Sequence, residues 1–365
     1  MLVRIHVEQL QDGCILSQNI ISDTNRPLAY KTTVVDQHIK AALQAFLIKE
    51  IEVESFLDNG EKFQPDYFLD ENEKVLDQMI DSIVEKSFYQ LYFEAVKAFK
   101  QLYLSWQSGA LLDIAKVRQL IIPLVEKIEG NEEEIIKLYH HSKQEDYIYH
   151  HSISVALLSA LLGKKLKYKQ GDMNQIALTG LLCDCGMSKI TPNILTKHIT
   201  LTENEYRDVK QHPVHSYNLL KKIMSIKEGV KMGVLQHHER IDGSGYPLSV
   251  KGDKLHPYSK IVALADTYQA MVSVRPYRNK QSPFKVLEQI LQDEFGKFDM
   301  NVVNELKKII IKFSVGTKVK LSNGIEAEIV FVDEQNPTRP IVKSIHLNDI
   351  LSLKDKRELF IEDVL

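Results

Sequence analysis

The sequence predicts a mainly α-helical protein: a helical bundle with a small α/β unit before it and a small β unit after it. Three observations carry that expectation. Apolar residues recur at three- and four-residue spacing through most of the span from Asp70 to Lys312. The first residues alternate instead, in Leu2–Val7 and again in Ile51–Glu54. Near the C-terminus, Asn323-Gly324 separates two β-type runs, and that dipeptide suits a type I′ hairpin turn.

Residues 1–56 read as the N-terminal unit, with turn chemistry at Gly13, Asn25-Arg26-Pro27 and Asp36. Within it, Asp36–Ile48 is expected to be a helix with Ile39, Leu43 and Phe46 on one face. Residues 57–70, holding Asn59-Gly60 and Pro65, form a linker. From Asp70 to Trp106 neither Gly nor Pro interrupts the helical pattern, and Val75, Met79, Ile83, Leu91, Val96 and Phe99 make an apolar stripe. At about 1.5 Å per residue such a helix spans ~50 Å. A helix that long bridges lobes, pairs with a second copy as a homodimer, or packs on its own domain. Helices near 112–128 and 131–143 follow. Residues 71–130 therefore form a helical connector, 131–312 the helical domain and 313–365 the C-terminal β unit. That last unit should contain the hairpin Gly316–Leu321 with Ile325–Val332, and a third strand at Pro340–Ile345.

Lysine and arginine number 46 against 49 aspartates and glutamates, a net charge of −3 that gives no case for binding a nucleic-acid polymer. The cysteines, Cys14, Cys183 and Cys185, make no disulfide framework and suit a reducing cytoplasm. No stretch approaches the ~18 apolar residues of a membrane span. The opening MLVRIHVEQLQDG lacks the apolar run of a signal peptide. The expectation is a cytoplasmic protein.

The most informative stretch runs from His237 to Pro247: His237-His238-Glu239-Arg240-Ile241-Asp242-Gly243-Ser244-Gly245-Tyr246-Pro247. Neutral imidazole is the commonest metal ligand, and the glycines let backbone approach a ligand closely. Other ligand-type residues sit in or beside apolar helices. His151 opens a helix carrying Val155, Leu157, Leu158, Leu161 and Leu162; alone it reads more readily as a helix cap or a hydrogen-bonded core residue. Asp184 ends a helix of Ile176, Leu178, Leu181 and Leu182, at the negative end of the dipole, where a carboxylate is unfavourable without a cation nearby. His212-Pro213 follows a helix entry in which Thr202 and Glu205 have capping-box spacing. Asp266 lies inside the apolar helix Ile261–Met271, where an unpaired carboxylate is costly. His151, Asp184, His212, His237, His238 and Asp266 together suggest a dinuclear metal pocket within a helical bundle, with phosphate or nucleotide as ligand.

The order of these residues resembles the HD-GYP family of HD-type phosphohydrolases, over roughly residues 140–312. The resemblance is carried by His151-Ser152 with Val155-Ala156, Leu181-Leu182-Cys183-Asp184-Cys185-Gly186, Lys210-Gln211-His212-Pro213, the His237–Pro247 run, Ala265-Asp266 and Arg275-Pro276-Tyr277-Arg278. It implies an HD-type helical bundle and hydrolysis of cyclic di-GMP to pGpG or GMP by metal-activated water, in bacterial signalling. It implies one or two divalent metals, iron, manganese or zinc. His151, Asp184 and Asp266 would serve one metal, and Asp184 would bridge, as the central catalytic ligand, to a second completed by His212, His237 and His238. Arg275 and Arg278 would clamp the ligand's phosphates, and Tyr246 would lie beside it. Protein partners would dock on the loop around Tyr246.

The chain departs from the family pattern where chemistry is concentrated. The family's namesake histidine is Cys183, which binds metal as a thiolate or stays a small buried thiol. The lysine three residues after the aspartate is Met187, with Lys189 two residues further on. Tyr147 stands where three-metal members carry an acid, and Thr191, Ser216 and Gln269 replace a proline, a glycine and an aspartate. Loss of the lysine is expected to raise a barrier by about 2–4 kcal/mol, by analogy with losing one oxyanion donor. Three readings follow: a phosphodiesterase weakened at Cys183 and Met187, an inactive cyclic di-GMP receptor, or a protein-interaction scaffold.

Overall fold

The structure, a computed structural model, describes residues 2–21, 27–46, 48–65, 86–142, 144–195, 197, 200–274, 280–292, 295–312, 314–346 and 349–365. The chain divides into two compact units, Met1–Lys86 and Ser87–Leu365.

In the first unit β1 (Leu2–His6) pairs antiparallel with β4 (Glu50–Glu54), and β2 (Ile20–Ile21) with β3 (Pro27–Ala29). Helix α1 (Gln37–Ala45) starts at Asp36, whose carboxylate accepts the Ile39 N–H at 2.8 Å. Leu43 is fully buried with Ile5, Leu16 and Val53, and Ile39 packs beside them. Phe46 departs from the expected face: it follows the last helical turn and is 55% exposed.

The second unit opens with α2 (Phe88–Gln107). A single helix from Asp70 is not what forms. Ser87 is extended and caps the helix, its hydroxyl accepting from Gln90 N while the Gln90 side chain accepts from Ser87 N. Val75, Met79 and Ile83 lie outside the described residues. Twenty residues span about 30 Å. The face Tyr92, Val96, Phe99, Tyr103 and Trp106 is buried in the helical core, so α2 packs on its own domain.

Around it stand α3 (Ile114–Glu126), α4 (Glu132–Lys137), α5 (Tyr147–Lys165), α6 (Gln170–Leu182), α7 (Pro192–Leu195), α8 (Glu203–Val209), α9 (His212–Leu220), α10 (Glu228–Gln236), α11 (Pro257–Val272), α12 (Pro283–Gln292) and α13 (Met300–Lys312). Helix α5 is buried on every side from Tyr149 to Gly163 and forms the axis of the domain. Gly180 lets α6 press against it, since a Cβ there would lie 3.0 Å from Val155 O and Ala156 Cα. None of the described helices is long and apolar enough to cross a membrane.

The chain ends in a five-stranded antiparallel sheet, ordered β8 (Ile350–Ser352), β7 (Ile341–Ser344), β6 (Glu326–Phe331), β5 (Lys318–Leu321), β9 (Ile361–Val364). Asn323-Gly324 makes the foreseen turn between β5 and β6, with Gly324 at φ +84°. Phe284 of α12 enters the core of this sheet with Val319, Leu321 and Ile329. Ser282 Oγ donates to Ile361 O, and Arg339 bonds Glu288 Oε1 at 2.8 Å, fixing the sheet to α12.

Candidate metal centre

Five pieces of backbone deliver the candidate ligands. His151 comes from the second turn of α5 and Asp266 from the interior of α11. Asp184 stands two residues past the end of α6, where the chain tightens into the 3₁₀ turn Cys185–Lys189. His212 opens α9, just after the Thr202–Glu205 capping box of α8. His237 closes α10, so the adjacent His238 also reaches the site. The constraint that neighbouring helical side chains diverge is met by placing the pair at a helix end.

These side chains form two groups whose nitrogen and oxygen atoms lie within 4.8 Å of one another: Asp184 with His212, His237 and His238, and Asp184 with His151 and Asp266. Asp184 belongs to both. Its Oδ1 lies 3.1 Å from His212 Nε2 and 3.5 Å from His237 Nε2, and its Oδ2 lies 3.5 Å from His151 Nε2. His151 Nε2 is also 2.9 Å from Asp266 Oδ1, and His238 Nδ1 is 3.8 Å from Asp266 Oδ2.

The outer ring nitrogens define what the inner ones present. His212 Nδ1 lies 2.7 Å from Val209 O, and His237 Nδ1 lies 2.7 Å from Val234 O. A carbonyl only accepts, so both Nδ1 atoms carry hydrogen and donate. In the neutral rings Nε2 is then a bare lone pair, the tautomer a metal ligand needs. Tyr147 stacks on His151 at 5.2 Å, its hydroxyl 3.3 Å from Nδ1. Thus Tyr147 orients a ligand instead of supplying an acid.

Electrostatics agree with a cation site. Burial pushes the Asp184 carboxyl up, but hydrogen bonds from His151, His212 and His237 hold it well below the usual carboxylate range. Asp266 behaves alike: desolvation is outweighed chiefly by the hydrogen bond from His151. Burial and the neighbouring His237 hold His238 well below its ordinary value, so its imidazole is neutral. Against burial, the same carboxylates raise His151 and His212, so without an ion protons take the Nε2 positions that a cation would fill. The carboxylates and imidazoles together form a nitrogen–oxygen donor set of the kind that binds divalent metals.

Cys183 joins neither group. Its Sγ donates to Gly180 O at 3.1 Å, and burial and the Asp184 charge raise the thiol well above its ordinary value. A ligand has to be a thiolate; this sulfur is turned back on its own helix and lies in neither ligand group, which corrects its inclusion among the ligand candidates. The lysine at position 189 does not stand in for Met187 either. Its ammonium donates to Trp106 O at 2.5 Å, while Met187 packs on the core. Arg275 and Arg278 lie outside the described residues.

Tyr246 stacks on His238 with centroids 4.7 Å apart, which puts it beside the cage. Its loop is tied down by Glu239, which sequence reasoning passed over. The buried Glu239 carboxylate accepts the N–H groups of Leu248, Ser249 and Val250 at 2.6, 3.1 and 3.2 Å. An acid next to two histidines reads as a ligand; its position inside a glycine-rich turn was the only signal for a loop clasp. Gly245 is required here because a Cβ would overlap Glu239 Cα and Arg240 N. Ser216 gained a role of its own: its hydroxyl donates to Cys183 O and accepts Gly186 N, both at 2.7 Å, pinning the Asp184 turn to α9. Gln269, one turn beyond Asp266, is fully buried, and among the described residues neither amide atom finds a partner.

Residues 132–302 match a family model described as an HD domain. Similar curated proteins include a cyclic di-GMP phosphodiesterase of Pseudomonas aeruginosa, 27% identical over 216 residues, covering 59% of this chain and 52% of that protein. A cyclic di-GMP phosphodiesterase of Borreliella burgdorferi is 27% identical over 202 residues, covering 55% and 53%. A 3′3′-cGAMP-specific phosphodiesterase of Vibrio cholerae is 34% identical over 158 residues, covering 43% and 36%. The chain thus spans about half the length, or less, of the curated relatives it matches. Among solved structures, an HDG"Y"P protein of Bdellovibrio bacteriovorus shares the fold, with TM-score 0.53, 15% identity, and coverage of 85% of this chain and 99% of that one. The fold and the cage define an HD-domain protein. More narrowly, over these residues the chain is similar to the HD-GYP type of cyclic dinucleotide phosphodiesterase, with Cys183 where the HD motif has its histidine.

Proposed function

We propose that this protein is a metal-dependent phosphodiesterase that hydrolyses cyclic di-GMP, at a rate reduced by the absence of a lysine at position 187. One observation carries the reading: Asp184 is shared between two ligand groups, and the Nδ1 bonds of His212 and His237 commit both Nε2 atoms to the cage. Two divalent ions, when bound, supply Lewis acidity and an acidified water for in-line displacement at phosphorus. The protein's own part is positional. His151 and Asp266 would hold one ion, His212, His237 and His238 the other, and Asp184 both. Tyr246 borders the site, where its ring packs against a bound nucleotide. Arg275 and Arg278 would receive the phosphates, since guanidinium suits bidentate contact.

A receptor is the second reading, and Met187 favours it, because no described lysine takes the missing position. Incubating iron- and manganese-loaded protein with cyclic di-GMP and with 3′3′-cGAMP, and separating the products, decides between them. Formation of pGpG or GMP supports the enzyme. Tight nucleotide binding without product supports the receptor. Neither binding nor turnover would overturn both.

A further inference from the structure

Lysine 210 has no role in the scheme above, yet it stands at the rim of the cage. It caps the C-terminus of α8, two residues before His212. Its ammonium sits 4.7 Å from the centroid of the Tyr206 ring and 5.1 Å from that of Tyr246. Tyr246 in turn stacks on His238, so one aromatic ring separates this charge from a candidate metal ligand.

Its neighbours are spent differently. Lys189 donates to Trp106 O, and Arg240 donates to the carbonyl of Glu239 and to Thr267 while lying 4.8 Å over Phe298. Among the described residues, the Lys210 ammonium makes no ion pair or hydrogen bond; only the two tyrosine rings hold it. Ring faces attract a cation but neutralise none of its charge. The ammonium is therefore placed, half-buried, with its full charge available to an anion entering between Tyr206 and Tyr246.

We infer that Lys210 is a substrate-binding residue that contacts a phosphate of the nucleotide as it enters the cage. This rests on the cage being a phosphodiester site. The two tyrosines are positioning residues that fix the ammonium, and Lys210 acts on binding more than on the chemical step, since it lies beyond the ligand groups.

The test uses metal-loaded full-length protein, titrated calorimetrically with cyclic di-GMP as wild type, Lys210→Met and Lys210→Arg. Methionine should weaken binding about tenfold, the scale of one charge-assisted contact, and flatten its salt dependence. Arginine should restore affinity to within about threefold, because it keeps the charge and the ring contacts. The thermal midpoint should be the same in all three. In turnover, KM should rise in Lys210→Met with kcat nearly unchanged. Wild-type affinity in Lys210→Met, or a loss that arginine fails to rescue, would overturn the inference. If the wild type ignores cyclic di-GMP, the nucleotide reading fails instead. The same variants titrated with inorganic phosphate then test Lys210 alone: equal phosphate affinity would sink it, and weaker binding in Lys210→Met would sustain it.

Discussion

His212 and His237 face each other through their Nε2 atoms at 3.2 Å, each with its Nδ1 hydrogen already given to a backbone carbonyl. In the neutral rings two lone pairs meet there, with the Asp184 oxygen beside both. Such convergence is stable only with positive charge between the atoms, as a proton or as a metal ion.

Ser216 should matter to stability although it touches no candidate metal ligand through its side chain. Ser216→Ala leaves Gly186 N and Cys183 O unsatisfied in the core, a cost of about 1–3 kcal/mol. Chemical denaturation of the metal-free protein measures it. Unchanged stability would mean the clasp contributes nothing.

Glu239 should hold the loop and not the metal. Glu239→Ala removes the acceptor of three backbone N–H groups, so limited proteolysis should begin cutting near residues 243–250 while metal content stays at the wild-type level. Loss of metal with an intact loop would make Glu239 a ligand.

The capping box of α8 gives a pH signature. Hydrogen bonds from Lys197 and Thr202 lower the Glu205 carboxyl to about 2, below its value in the unfolded chain. A depressed native pKa stabilises above the unfolded value and loses that stabilisation as pH falls through the native one. Glu205→Gln, which can still cap, should melt lower than wild type at neutral pH. The gap should begin to close below about pH 4.3 and vanish near pH 2. A gap independent of pH would show that the charge does not matter.

Met187→Lys should raise turnover about tenfold or more, since the position is only partly buried and a lysine stem can follow apolar surface to bring its charge out. Cys183→His is a different case. The thiol is 1% exposed, and a ring there overpacks the core at a cost of about 1–3 kcal/mol. Steady-state kinetics with cyclic di-GMP separates the two; no gain from Met187→Lys would mean that the missing lysine does not limit the rate.

The sequence made the middle of the protein legible because its signals are local. The apolar helices around His151, Asp184 and Asp266, the Thr202–Glu205 box and the Asn323-Gly324 turn each lie within one element. Ser87 and Gln90 also carry capping-box spacing, which marks the start of α2 that an uninterrupted helical pattern concealed. Other features depend on partners distant in the chain. Strand β9 pairs with β5, Lys189 reaches Trp106, and Ser216 closes on Cys183, contacts that periodicity does not encode. Cys183 read as a possible ligand because it occupies a ligand's place in the motif. Only the direction of its Sγ, toward Gly180, decides otherwise.

Metal content of wild type and Asp184→Asn after anaerobic loading with iron or manganese tests the central claim most directly. Because Asp184 belongs to both ligand groups, the account predicts up to two tightly held ions per wild-type chain and close to none in the variant, with His151→Ala keeping one. A wild type that retains no metal, or a variant that retains as much as wild type, would contradict it.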